Sequence, residues 1–165
     1  LHGDEVIGPT SVIETAWLLI RAATCKNDKY AEECLDLSLK NNPGKVDWLS
    51  QMVKTRSLFI MPSPNALGFY LDERQERDID PNRDFPYHQV PSKCMRSITA
   101  RAINELWRDH MFQLSLTFHG GMVAIAYEWG DMTHPAKNGN DISPDDKAQS
   151  DIASAMSLYG GKFYS

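Results

Sequence analysis

The sequence has no basic stripe, no long apolar run, no Cys-x-x-Cys pair and no internal repeat. Each absence excludes a class of function. Asp and Glu number 22 against 17 Lys and Arg, a formal net charge of -5, and the cations are scattered along the chain. A nucleic-acid binder must concentrate cations to neutralise phosphates, so no nucleic-acid partner is expected. The richest apolar stretch, Val12 to Ala23, is broken by Glu14, Thr15 and Arg21. It falls short of the roughly 20 apolar residues that a membrane span needs, so no membrane span is expected. With no Cys-x-x-Cys among Cys25, Cys34 and Cys94, a cysteine zinc site is not expected either. Cys25 and Cys34 flank a short charged stretch and would pair in an exported protein; two separate thiols fit the sequence as well. The chain opens on Leu1 and closes on Lys162-Phe163-Tyr164-Ser165 with neither leader nor tail composition. Both ends read as cuts, which leaves any targeting signal out of view.

What is present is the composition of one globular domain: 165 residues, 42% hydrophobic and 24% charged. Pro9-Thr10 opens a helix whose apolar residues, from Val12 to Ala23, recur at helical spacing. Lys29 to Leu39 reads as a second helix, Trp48 to Val53 as a short amphipathic turn or helix, and Ser97 to Phe112 as a helix with Ile98, Ala102, Ile103 and Leu106 on one face. A last helix starts at Ser143-Pro144-Asp145-Asp146, where acids favour the helix dipole. Ser57 to Met61, Leu114 to Phe118 and Val123 to Trp129 read as strands, the first of them buried. Between them, Pro62 to Pro91 is loop-like with five prolines, and Thr133 to Pro144 is a polar loop. Strands alternating with helices predict an α/β fold, a partial sheet flanked by helices and truncated at both ends. Trp17, on a helix face, and Trp48, before the first strand, are expected in the core.

The chemistry gathers in three places. His2-Gly3-Asp4-Glu5 offers an imidazole and a carboxylate three residues apart, just before a helix, where both can reach one metal ion. Taken alone, the same spacing suits a solvated His and a helix-start Glu. His119 ends an apolar strand, where side chains of open α/β sheets line a ligand crevice, and Gly120-Gly121 leaves the backbone open beside it. Two His and one Glu with an open fourth position form a catalytic zinc set. Asn82-Arg83 supplies an amide and a guanidinium, suited to a carboxylate by parallel hydrogen bonds.

His2-Gly3-Asp4-Glu5, Pro62-Ser63-Pro64-Asn65-Ala66-Leu67-Gly68, Asp80-Pro81-Asn82-Arg83-Asp84-Phe85-Pro86 and His119-Gly120-Gly121 follow one another in that order. Order and spacing resemble the M14 zinc metallocarboxypeptidases, the carboxypeptidase A superfamily, and within it the N/E regulatory branch. The resemblance runs from Leu1 to about Ser157, so residues 1–165 are expected to be a partial catalytic domain of the three-layer α/β/α type with a mixed sheet. It implies one zinc ion on His2, Glu5 and His119, and a substrate's C-terminal carboxylate on Asn82 and Arg83. Arg74 most resembles the family's oxyanion-stabilising arginine, with Arg77 as a competitor because the separation from Asn82 is one residue short. The branch's acidic selector of basic residues falls on Gly130, next to Asp131. The general-base Glu of the family is expected downstream of this chain; Glu128 lies too early for it, and neither Tyr159 nor Tyr164 matches the capping tyrosine. His88, His110 and His134 match no ligand position.

The implied activity is zinc-dependent removal of the C-terminal residue from peptides or proteins with a free carboxylate. Two rivals remain: a catalytically silent relative that binds zinc or C-terminal peptides, and a family-like amide hydrolase acting on acylated amino acids. Export through the secretory route is the branch's analogy.

Overall fold

The computed structural model describes residues 1–25, 41, 43–86, 91–129 and 142–160. Among them are five α-helices: α1 (Ile7–Thr24), α2 (Pro43–Thr55), α3 (Ala66–Leu71), α4 (Ile98–Asp109) and α5 (Asp146–Gly160). Two short 3₁₀ turns, Pro81–Arg83 and Pro91–Lys93, interrupt the long loop. The expected helix Lys29 to Leu39 lies outside the described residues.

α1 packs along α2. Leu19 and Ala22 of α1 meet Val46 and Leu49 of α2 as a small buried cluster, with Leu18, Met52 and Val53 packed beside it. Burying a leucine side chain contributes about 1.5–3 kcal/mol, so this pair of helices rests on few side chains. Much of the rest of α1 is exposed, Ile13, Trp17 and Ile20 among it. Trp17 and Trp48, expected in the core, are 52% and 64% exposed. A helix buries one stripe, and the α1–α2 contact runs through Leu19 and Ala22 rather than through Trp17. Cys25, at the end of α1, is disulfide-bonded, and Cys94 keeps its thiol. Cys34, the other cysteine of the expected pair, lies outside the described residues.

The α/β expectation is overturned. No strand and no sheet form among the described residues; the bridge between Glu76 and Ile79 stands isolated. Ser57–Met61, Leu114–Phe118 and Val123–Trp129 have no regular ladder, and Leu58, Phe59, Leu114, Leu116, Phe118 and Val123 are exposed. An apolar run favours extended backbone, but a strand exists only where a second segment supplies hydrogen-bond partners. Nothing in a run's own pattern provides that partner.

Two helix starts matter for the site. Asn65 caps α3, its side-chain oxygen accepting from the Gly68 amide at 2.9 Å. Ser97 caps α4, its hydroxyl oxygen accepting from the Ala100 amide at 3.0 Å. α3 occupies part of the stretch expected to be loop. It spans six residues, fewer than two turns, too short for a periodic pattern to show.

Candidate metal centre

His2 and Glu5 sit on the turn that leads into α1, where the Glu5 carbonyl accepts from the Gly8 amide at 3.1 Å. Close backbone packing fixes that turn. A Cβ on Gly3 would collide with backbone atoms of Gly68, Phe69 and Glu73, so only glycine lets the turn lie against the end of α3. A Cβ on Gly8 would stand 3.1 Å from the Phe118 carbonyl oxygen, so the start of α1 lies directly against the residue before His119. The turn and the 118–120 segment, distant in sequence, thereby meet.

Glu5 is the centre of the cluster. One carboxylate oxygen lies 2.7 Å from His2 Nδ1, the other 2.7 Å from His119 Nδ1 and 3.1 Å from the Gly120 amide, which donates to it. The imidazole centroids are 4.8 Å apart. Burial opposes ionisation of Glu5. The Gly120 amide and the hydrogen bonds from His2 and His119 overcome that cost and hold its pKa below the ordinary glutamate value.

The far side of His2 faces Asp80, with Nε2 3.1 Å from Oδ1. Arg74 closes the ring: Nε and Nη2 donate to Asp80 Oδ2 at 3.1 and 3.0 Å, and Nη1 lies 3.1 Å from His2 Nδ1 and 3.4 Å from Glu5 Oε1. Burial works against the Asp80 charge as well, but the Asn82 amide, the Arg74 guanidinium and His2 hold its pKa down. With its proton on Nδ1, His2 donates to Glu5; with its proton on Nε2, it donates to Asp80 and leaves on Nδ1 the lone pair that a metal would take.

Ligand atoms from His2, Glu5 and His119 all fall within 4.8 Å of one another. Zinc bonds to nitrogen and carboxylate oxygen are about 2.0–2.2 Å long, so tetrahedral ligand atoms stand ~3.4 Å apart. Each imidazole Nδ1 stands 2.7 Å from a Glu5 oxygen, within about 1 Å of that spacing. A carboxylate on the other nitrogen of a ligating histidine is the usual orienting partner of such sites. The donor set therefore fits zinc.

Of the other expected residues, Asn82 and Arg83 lie on the 3₁₀ turn beside Asp80, Asn82 half-buried and Arg83 exposed. The turn is built by Asp80, whose Oδ1 accepts from the Asn82 amide at 2.9 Å, with Pro81 at its first position. Arg83 reaches back to the Asn82 carbonyl at 3.0 Å. Arg74 and Arg77, competitors in the sequence, part company here. Arg74 joins the cluster, whereas Arg77 sits at φ 57° in the tight turn between Glu76 and Ile79, its charge acting on Glu76. Glu128 is turned to Ser143 and Gln149, at 3.4 Å from each. His110 stacks on Phe59 and Phe112, and Tyr159 is exposed. Gly130, Asp131, His88, His134 and Tyr164 lie outside the described residues.

Three carboxylates at the site had no role assigned from the sequence: Glu76, and Asp80 and Asp84 at the two sides of the Asn82–Arg83 motif. All lie in a run of mixed charges that reads as solvated loop. The Asp-Pro-Asn spacing was the available signal for Asp80, since an Asp before Pro is a helix-cap arrangement.

Glu76 is only 7% exposed. Its Oε1 accepts from the Ile98 amide at 2.7 Å, and its Oε2 from the Thr99 amide at 2.9 Å and the Thr99 hydroxyl at 2.6 Å. Burial raises its pKa, but the Thr99 and Ile98 donors, with Arg77, bring it below the ordinary value. A carboxylate with a depressed folded pKa stabilises fully above its unfolded pKa, near 4.3, and the contribution is lost as pH falls through the folded value. Glu76→Gln should therefore be less stable than the parent at pH 6, with the gap in urea midpoints narrowing below about pH 4. A gap constant down to pH 3 would contradict the buried ionised carboxylate.

Compared with known proteins, residues 1–162 match the family model for zinc carboxypeptidases, peptidase M14. The chain belongs to that family. It is also similar to carboxypeptidase D of Drosophila melanogaster, 24% identical over 178 aligned positions that cover 95% of this chain and 11% of that protein. The chain thus spans about a tenth of that relative's length. No solved structure gives a significant match. None of the described helices of this zinc carboxypeptidase family member is long and apolar enough to cross a membrane.

Proposed function

We propose that the intact protein is a zinc-dependent metallocarboxypeptidase that hydrolyses the C-terminal peptide bond of peptides or proteins. The observation that carries this reading is the meeting of His2 and Glu5 with His119, far apart in sequence, with all ligand atoms within 4.8 Å. Family membership supports the same reaction class. His2, Glu5 and His119 would hold one zinc ion, which supplies Lewis acidity and lowers the pKa of a bound water to about 7.

The protein's own residues do the rest. With zinc bound, Asp80 would accept the His2 proton at Nε2 and leave Nδ1 to the metal. Asn82 and Arg83 would take the substrate's terminal carboxylate and restrict cleavage to chain ends. Arg74 stands beside the metal ligands, the right neighbourhood for a donor to a developing oxyanion. To take that role it would exchange its bonds to Glu5 and His2 for the substrate oxygen while staying anchored on Asp80.

The test is release of C-terminal residues from a peptide panel by the intact protein, before and after chelation and after zinc is restored. Activity should vanish with the metal and return with it. Activity indifferent to chelation would reject the zinc reading, whereas zinc-dependent peptide binding without turnover would indicate the silent relative.

A further inference from the structure

We propose that Glu76 and Asp84 are positioning residues that fasten the Asn82–Arg83 turn to the start of α4; this rests on reading that turn as the grip on a substrate chain end. The 3₁₀ turn lies between two buried carboxylates, and both reach the same helix end. On one side Glu76 accepts from the Ile98 amide and from the amide and hydroxyl of Thr99. On the other, Asp84 Oδ2 accepts from the Ser97 amide at 2.6 Å and its hydroxyl at 2.8 Å, while the Asp84 carbonyl accepts from the Met95 amide at 2.7 Å.

The segment between these anchors is itself tied. Glu76 and Ile79 exchange backbone hydrogen bonds of 2.9 and 3.1 Å, and Asp80 then builds the turn through the Asn82 amide and, by its carbonyl, the Arg83 amide. Residues 76–84 thus form a loop closed at both ends on Ser97–Thr99. Asn82 and Arg83 lie within it, next to Asp84.

Capping alone does not account for this. A helix leaves its first amides without partners, and acids in its own first turn commonly satisfy the dipole there. α4 has no acid in its first turn. Ser97 serves the Ala100 amide, and among the described residues the Ile98 and Thr99 amides are served by the distant loop. The cap and the position of the turn therefore form together. A carboxylate 2% exposed, as Asp84 is, tolerates burial only while those donors stay in place.

The test uses the intact protein and a free-carboxylate peptide, with zinc content measured for each variant. Glu76→Ala and Asp84→Ala should each raise KM about tenfold, with kcat within about twofold and zinc per chain unchanged. Asp84→Asn retains an oxygen able to accept both Ser97 bonds and should restore KM to within about threefold of the parent. The double variant Glu76→Ala with Arg83→Ala should raise KM by clearly less than the product of the two single effects, because Glu76 acts through the turn that carries Arg83. An unchanged KM, multiplicative effects in the double variant, or a loss of zinc along with kcat would each overturn the proposal. Amide exchange decides it without turnover. In Glu76→Ala, or in Asp84→Ala if the first variant does not fold, protection at Asn82 and Arg83 should fall at least about tenfold together with the helix-start amides. Loss confined to residues 97–99 would leave the turn independent and sink the idea. A parent protein that ignores free-carboxylate peptides would refute the carboxypeptidase reading alone, and exchange would still decide the clamp.

Discussion

His119→Ala is expected to abolish stoichiometric zinc binding by the intact protein. The cluster has three donors, and His119 is the one contributed from outside the first turn, 2.7 Å from Glu5. Without it, His2 and Glu5 form a two-donor site on a single turn, and water must fill two positions in place of one. Changes to outer partners of a metal site commonly weaken affinity 10–100-fold; loss of a ligand should exceed about a hundredfold. Asp80→Ala supplies that comparison within the same protein. It removes the carboxylate on His2 Nε2 but no ligand, so zinc affinity should fall into the 10–100-fold range.

The measurement is zinc per chain after dialysis against a graded chelator series, which reads the metal directly and needs no substrate. Equal zinc retention by the parent and His119→Ala would remove that residue from the metal site. An Asp80→Ala effect as large as that of His119→Ala would show that the cluster fails through lost orientation of His2 rather than through donor count.

The contrast between site and fold lies in what each kind of residue reports. His2, Glu5 and His119 stood out in the sequence because motif order carries chemistry whatever the backbone between them does, and the structure brings them together. The sheet was not legible in the same way. Leu114–Phe118 has the composition of a strand, yet strand formation depends on a hydrogen-bonding neighbour that its residues do not specify, and the run lies exposed and unladdered. Trp17 failed for a related reason: helical periodicity locates an apolar stripe, while the partner helix selects which part of it is covered.

The carboxylates were hidden by their surroundings in the sequence. Glu73-Arg74-Gln75-Glu76-Arg77-Asp78 reads as a solvated charge run, and most of it is exposed. Glu76 alone is buried there, because the unpaired amides of α4 offer more than water does. No local pattern separates it from its neighbours. What distinguishes it is a helix start more than twenty residues away.

That arrangement sets up the second large effect, on substrate capture. Arg83→Ala should raise KM for peptides with a free C-terminal carboxylate by about 10–100-fold, since hydrogen bonds to charged groups contribute about 1.5–3 kcal/mol each. The side chain is exposed, and among the described residues its head bonds to the carbonyl of the preceding residue. Removing it therefore leaves no buried partner stranded and should not disturb folding or zinc content. Arg83→Lys should recover little, because an ammonium cannot reproduce the two parallel hydrogen bonds of a guanidinium. The control is the same peptide with an amidated C-terminus, which lacks the charge that Arg83 would bind. On the amidated peptide the parent should perform poorly and Arg83→Ala no worse, so the two proteins should converge. If Arg83→Ala keeps the parent's KM on free-carboxylate peptides, the chain end is held elsewhere and the turn at Pro81–Arg83 is scaffold. If KM rises equally for free and amidated peptides, Arg83 contacts the substrate but does not select its terminus, and the restriction to chain ends must come from another group.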